Sequence, residues 1–259
     1  MTAWPNGQNC PETPPATPLN SYSAAMAGVQ ARHPDVTVVV PAYNEEGRVA
    51  AVVAGLRSEF GTVVVVDDGS RDETAALARA AGARVVRHPS NLGQGAALQT
   101  GFAYALTDPG MRYVVTFDSD GQHRVADALS LLDVARDTGV DVVLGSRFLD
   151  DQNDIPRARR TVLRAGVAFT RATTRLSVTD THNGLRVLNR HAVEQIDLTL
   201  ADMAHASQLL GLISRRGLSW TEAPVVIDYA DESRRRGQSN VNALNIVFDL
   251  ALERLRSAG

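Results

Sequence analysis

A single cysteine, Cys10, in 259 residues excludes an internal disulfide framework and fits a reducing compartment. It stands in a proline-rich stretch, with no neighbouring His or Cys pattern that would make it a zinc ligand or a nucleophile. No apolar run approaches the ~20 residues needed to span a bilayer. The opening Met1-Thr-Ala-Trp-Pro-Asn-Gly-Gln8 has neither the basic region nor the apolar core of a signal peptide, so none is expected. Charge is nearly balanced at −3, which gives no reason to expect a nucleic-acid partner. Internal repeats are absent. What is present is 44% hydrophobic content, enough for one sizeable core. A cytoplasmic protein is expected, soluble or held peripherally on the inner face of the plasma membrane.

Residues 1–34 carry Pro5, Pro11, Pro14, Pro15, Pro18 and Pro34 with little periodic apolar content, the composition of a disordered tail. From Val36 the chain alternates between two periods. Thr37–Val40, Thr62–Val66, Arg84–Arg87, Tyr113–Phe117 and Asp141–Leu144 read as strands. Glu45–Phe60, a segment from Ser70 to Gly82, Gly95–Leu106 and Val125–Arg136 read as helices. Ser70-x-x-Glu73 has the spacing of a capping box. The series predicts an α/β fold with helices on a mostly parallel sheet. Beyond Gly145-Ser-Arg147 the regularity falls. One or two arginine-bearing helices are expected over 155–177, a short strand at Gly184–Leu188, a helix at Met203–Arg216 and a strand at Glu222–Tyr229. An amphipathic helix at Asn240–Arg256 closes the chain.

The chemistry gathers at strand ends. Asp118-Ser-Asp-Gly-Gln-His123 puts two carboxylates one residue apart after a buried strand, where open α/β sheets bind ligands. Such a pair suits a hard divalent cation that shares the phosphates of a nucleotide. The same residues would equally serve as the N-cap cluster of the helix from Val125, and Asp-x-Asp is a weak motif alone. Asp67 and Asp68 end the second strand. One acid suffices to cap the next helix, and the other is left for a base or ribose. Pro41-Ala-Tyr-Asn-Glu-Glu46 ends the first strand and is neither a dinucleotide fingerprint nor a P-loop. The glycines of Gly93-Gln-Gly95 read best as a tight turn packed closely on a neighbour.

Taken together, these motifs resemble the family 2 glycosyltransferases of GT-A fold. The resemblance rests on Pro41–Glu46, Val66–Thr74, Asn91–Ala96, Asp118–His123 and Gly145–Arg147, in that order, and covers about Val36 to Leu252. It implies that Pro41, Ala42, Tyr43 and Glu45 border the nucleobase and ribose, with Asp67 or Asp68 contacting the base. Asp118 would approach the ribose and the metal, and Asp120 and Gln122 would ligate Mg²⁺ or Mn²⁺. Arg147 would offer a phosphate a fixed, bidentate positive charge. Met203–Ser207, Glu222–Tyr229 and Arg236–Ser239 are similar to bacterial enzymes of cell-surface polysaccharide assembly. A looser similarity to polyprenyl-phosphate sugar synthases would place Arg234, with Arg236 nearby, on the donor phosphates.

One departure bears on the acceptor. Many hydroxyl-directed relatives carry an acidic pair at about 206–208, where this chain reads Ala206-Ser207-Gln208. An alcohol needs a general base, whereas an ionised phosphate does not. Either the acceptor is a lipid phosphate, or the base is His205, Asp202 or Asp180. The expectation is an inverting transferase moving a sugar from a UDP- or GDP-linked donor to a polyprenyl phosphate or a lipid-linked or polysaccharide acceptor. The rival expectation is a GT-A module that binds nucleotide-sugar without turnover. Three segments follow: the tail 1–34, a transferase domain 35–230, and a basic loop with the amphipathic helix at 231–259. The arginines of 157–175 and of 234–236 are either a solvated face or an anchor on anionic lipid.

Overall fold

Runs of β-branched residues, stiff about χ1 and poor in helices, set the strands of this protein. The computed structural model describes residues 32–150, 176–200 and 204–228. The tail, the arginine-rich 155–175, Asp202, Arg234, Arg236 and the helix at 240–256 lie outside the described residues. The elements run β1 (Val36–Ala42), α1 (Val49–Arg57), β2 (Thr62–Asp67), α2 (Thr74–Ala80), β3 (Arg84–Arg87), α3 (Gln94–Leu106) and β4 (Tyr113–Thr116). There follow α4 (Val125–Thr138), β5 (Val142–Ser146), β6 (Arg186–Asn189), α5 (Arg190–Gln195), α6 (Ala204–Arg216) and β7 (Trp220–Pro224).

The strands form one sheet in the order β3-β2-β1-β4-β6-β5-β7. All neighbours are parallel except β6, which is antiparallel to both β4 and β5. Alternate residues feed two cores. Val38, Val40 and Val115 pack with Val53 and Leu56 of α1 and Leu131 and Leu132 of α4. Val39 and Val114 pack on the other face with Leu98 and Phe102 of α3 and Leu209 and Ile213 of α6. A fully buried Val is worth about 1.5–3 kcal/mol relative to an exposed one. The β1 and β2 valines are therefore a main source of the fold's stability. Gly101 lets α3 approach closely, since a Cβ there would lie 2.2 Å from Val39 Cγ1.

The sequence ends β1 at Pro41, because proline gives no N–H to a ladder. The strand continues to Ala42. Val39 O accepts from Phe117 N and Ala42 O from Asp68 N, so position 41 faces the β4 side. There the β1–β4 register has already stopped at Val39 and Thr116. The missing N–H thus costs no ladder bond, and Pro41 O accepts from Ser119 Oγ at 2.9 Å.

The capping box does not form. Ser70 Oγ accepts from Asn44 N at 2.9 Å, and Ser70 N donates to Asp67 Oδ1 at 3.0 Å. Helix α2 starts later, at Thr74, whose N–H donates to Asp72 Oδ1 at 3.1 Å. Helix α1 likewise begins at Val49 and not Glu45, because residues 44–46 bond across to the 70–74 turn. The last strand also shifts. β7 spans Trp220–Pro224, after which His123 and Ile227 form an isolated antiparallel bridge. Helix α5, unforeseen in the sequence, is capped by Asn189, whose side chain accepts from Ala192 N.

Candidate active site

β1 lies between β2 and β4, and the chain visits β2 and β3 on one side before crossing to β4 on the other. That reversal opens a crevice at the carboxyl ends of β1 and β4, the ligand position of open α/β sheets. The polar strand ends converge there. A cavity of about 250 Å³ is lined by Pro41, Ala42, Tyr43, Glu45, Asp68 and Ser119, among others. It adjoins a wider one of about 840 Å³, which shares Tyr43 and Asn91 with it and adds Ser70, Arg87 and His88.

The first wall is a laced pair of loops. Asn44 takes φ 55°, a left-handed conformation that asparagine tolerates better than most residues. That turn lets Asn44 N reach Ser70 Oγ, Glu45 N reach Thr74 Oγ1 at 2.8 Å and Arg71 N reach Asn44 Oδ1 at 3.0 Å. Tyr43 is left 41% exposed over the cavity mouth. Glu45 pairs with Arg48 at 3.2 Å.

Asp67 and Asp68 are both buried, and neither caps α2. Asp67 Oδ2 lies 3.0 Å from Arg87 Nε. Asp68 holds the loop after β3: Oδ1 accepts from Leu92 N and Oδ2 from Gly93 N, at 2.9 and 2.8 Å. Its Oδ1 also meets His88 Nδ1 at 2.7 Å, and His88 Nε2 meets Thr100 Oγ1 at 2.9 Å. Nothing in the one-dimensional pattern marked His88. Asp68 nevertheless lines the smaller cavity. Gly69 at φ 74° passes within 2.4 Å, measured from a built Cβ, of the Ser90 carbonyl carbon, which explains a glycine there.

At the end of β4 the two carboxylates differ. Asp118 Oδ1 accepts from Gln94 Nε2 at 3.0 Å, and Oδ2 meets His123 Nε2 at 3.1 Å. Burial opposes its ionisation. The hydrogen bond from His123, then the charges of His123, Arg186 and His205, outweigh it and hold the carboxyl below its ordinary value. Asp120 goes the other way. Burial first, then the charge of Asp118, push its carboxyl up, against the Gln122 N–H that donates to Oδ1 at 3.0 Å. The two acids thus sit in one loop under opposite influences, Asp118 offset by His123 and nearby cations and Asp120 opposed by burial and by Asp118. No three His, Cys, Asp or Glu side chains among the described residues cluster as a metal site of their own. Two carboxylates one residue apart would suit only an ion that takes further oxygens from a ligand. Gln122 O accepts from Asp228 N at 2.9 Å, and Arg124 pairs with Asp228, so this loop is braced by the segment that follows β7.

Arg147, expected on a phosphate, is buried, and its fork faces Asp180: Nε to Oδ2 is 2.6 Å and Nη2 to Oδ1 is 3.3 Å. Asp180 is thereby spent as well, which removes it as a free base. Glu222 fixes this turn by accepting from Thr179 N and Asp180 N. His205 is buried on α6 beside Gly95, where a Cβ would lie 2.8 Å from His205 Cβ and 2.0 Å from Leu200 O. The close-packing reading of Gly95 thus holds, while its neighbour Gln94 reaches Asp118. Beside His88 and Gln94, two further residues frame the site without a mark of function in the sequence pattern. A Cβ on Gly184 would lie 2.0 Å from Asp118 Oδ2, and Arg186, on β6, is 4% exposed behind the same carboxylate. The signal was the Gly-Leu-Arg of a strand whose direction the sequence does not specify.

No helix among the described residues is long and apolar enough to cross a membrane. The chain is 30% identical to the polyprenol monophosphomannose synthase of Mycolicibacterium smegmatis, over 81% of its own length and 82% of the relative's. It is 32% identical to the dolichyl-phosphate hexose transferase of Haloferax volcanii, over 74% and 82%. Among solved structures, glucosyl-3-phosphoglycerate synthase of Mycobacterium tuberculosis, in complex with Mg²⁺ and UDP, superposes with a TM-score of 0.60. That match has 23% identity and covers 84% of this chain and 77% of that one, a likeness of fold. The profile of glycosyl transferase family 2 matches residues 37–197, through every strand end that builds the crevice, and the chain belongs to that family of GT-A glycosyltransferases.

Proposed function

We propose that this enzyme transfers a sugar from a UDP- or GDP-linked donor to a polyprenyl phosphate, with inversion at the anomeric carbon. The observation that carries the choice of acceptor is the state of residues 206–208. Ala206 is buried and apolar. Gln208 is tied down: its Oε1 accepts from Thr199 N and Leu200 N at 3.1 and 2.9 Å, and its Nε2 donates to Thr199 Oγ1 at 2.8 Å. No carboxylate stands at these positions to take a proton, and Asp180 is committed to Arg147. A phosphate acceptor arrives ionised and needs no base. The names of the Mycolicibacterium and Haloferax relatives, a polyprenol monophosphomannose synthase and a dolichyl-phosphate hexose transferase, support the same acceptor class.

In the proposed reaction a phosphate oxygen of the acceptor forms a bond to the anomeric carbon as the bond to the donor diphosphate breaks. The electron pair departs on the nucleoside diphosphate, and no proton moves. Tyr43 and Ala42, with Pro41 and Glu45, border the base and ribose. Asp68 offers the base an acceptor edge from a carboxylate already locked by Leu92, Gly93 and His88. Asp67 supports the same wall through Ser70. Asp118 would meet the ribose, and Asp118, Asp120 and Gln122 would hold Mg²⁺ or Mn²⁺, with Arg147 adding positive charge from behind its Asp180 pair. The bound ion would neutralise charge on the diphosphate. Arg234 and Arg236 complete the phosphate contacts in this reading, and the basic segments hold the enzyme peripherally at the inner face of the plasma membrane.

The test is transfer to polyprenyl phosphate in anionic vesicles against transfer to a soluble glycan. Activity confined to the vesicles, falling as salt screens the surface, is expected. Transfer to a glycan hydroxyl that is abolished by His205→Ala or Asp202→Ala, while donor binding survives, would refute the phosphate acceptor.

A further inference from the structure

Strand β6 lays an unusual pair of residues against the first carboxylate of the site. Its approach begins at Gly184, whose carbonyl accepts from Thr116 Oγ1 at 2.6 Å and whose missing side chain makes room for the Asp118 carboxylate. Two residues on, Arg186 pairs across the ladder with Thr116 of β4 and with Leu144 of β5, so it sits in mid-sheet two residues before Asp118. A guanidinium 4% exposed in mid-sheet is costly and needs anions near it. Burial lowers its pKa, and Asp118, then Asp180, act against that loss. Neither carboxylate is hydrogen-bonded to it: Asp180 is taken by Arg147, and Asp118 by Gln94 and His123. Arg186 therefore acts on Asp118 through charge and not through a fixed fork.

We propose that Arg186 is a positioning residue that makes cation binding depend on nucleotide: buried in the ladder opposite Thr116, two residues before Asp118, it sets a fixed positive charge behind the Asp118–Asp120 pair and so keeps a divalent ion weakly held until a diphosphate brings further oxygens. This rests on the reading of Asp118 and Asp120 as the cation site. The physical sense is that removing the guanidinium takes one positive charge from beside the two carboxylates, leaving a more negative site better able to retain a cation by itself. An ion that binds with the diphosphate also leaves with it, so the emptied site is not blocked by a trapped cation between turnovers.

The sign of the effect separates this role from a merely structural one. Mn²⁺ binding is measured by electron paramagnetic resonance on the full chain, without nucleotide and with UDP or, in parallel, GDP. Wild type is expected to bind Mn²⁺ weakly alone and firmly with the diphosphate. Arg186→Met is expected to tighten nucleotide-free Mn²⁺ binding about tenfold, because a nearby positive charge is gone. Arg186→Lys should stay near wild type, and Asp120→Asn in the Arg186→Met background should cancel the gain. If Arg186→Met does not fold, Arg186→Gln carries the same comparison. Unchanged or weaker nucleotide-free binding in the neutral variants, with wild type still binding Mn²⁺ in the presence of a diphosphate, overturns the role of Arg186 alone. Absence of Mn²⁺ binding by wild type even with both diphosphates overturns the cation site itself, and this inference with it.

Discussion

Replacing Gly184 with alanine adds one methyl group at the point where β6 meets the site. The new Cβ would lie 2.0 Å from Asp118 Oδ2, 2.4 Å from Cγ and 2.5 Å from Oδ1. Non-bonded carbons rest about 3.5–4.0 Å apart, so the carboxylate must retreat by more than about 1 Å. It cannot do so and keep both tethers, Gln94 on Oδ1 and His123 on Oδ2. Each charge-assisted bond not remade costs about 1.5–3 kcal/mol of stability. A misplacement of about 1 Å at a reacting centre costs about 10²-fold in rate, which is about 2.7 kcal/mol. Steady-state transfer with Mn²⁺ and a thermal melt measure the two effects. Gly47→Ala is the control, since nothing lies within 4 Å of a Cβ there. Wild-type kcat/KM and melting temperature in Gly184→Ala would falsify the claim that β6 shapes the Asp118 site.

Asp120→Ala is expected to lose at least about 3 kcal/mol of transition-state stabilisation, the scale of losing one strong electrostatic group; full activity of wild type in excess EDTA would contradict it. Arg147→Ala strands Asp180 as an unpaired buried charge, and urea denaturation should show a loss of about 3–5 kcal/mol; a loss below 1 kcal/mol would mean the pair carries little. Asp141 joins the ends of β5, β6 and β7. Burial raises its carboxyl, but bonds from Ser219 and Asn189 outweigh that and depress it below 3.8. A depressed acid stabilises the fold above its unfolded value and loses that contribution as pH falls through its folded value. Asp141→Asn should therefore be less stable than wild type at pH 7, with the gap closing below about 3.8; a gap that is constant with pH is the adverse result.

Local chemistry was enough to read β1 to β5 and helices α1 to α4 to within a few residues. β-branched runs, 3.6-residue spacing and strand-end acids act through neighbours in the chain. The sequence also marked the strand ends that carry Tyr43, Asp68, Asp118 and Asp120, because successive parallel strands bring their carboxyl ends to one edge of the sheet whatever the loops do. Partnerships across the sheet were beyond it. Pro41 sits inside β1 because β4 has already turned away. Ser70 is drawn from its capping role by Asn44, some 26 residues earlier in the chain. Arg147 is claimed by Asp180, and Asp118 is framed by Gly184 and Arg186, because β6 enters the sheet antiparallel between β4 and β5. The direction of a strand leaves no mark on its own residues. It is decided by which edge is free to pair, and that is settled only when the tertiary structure closes.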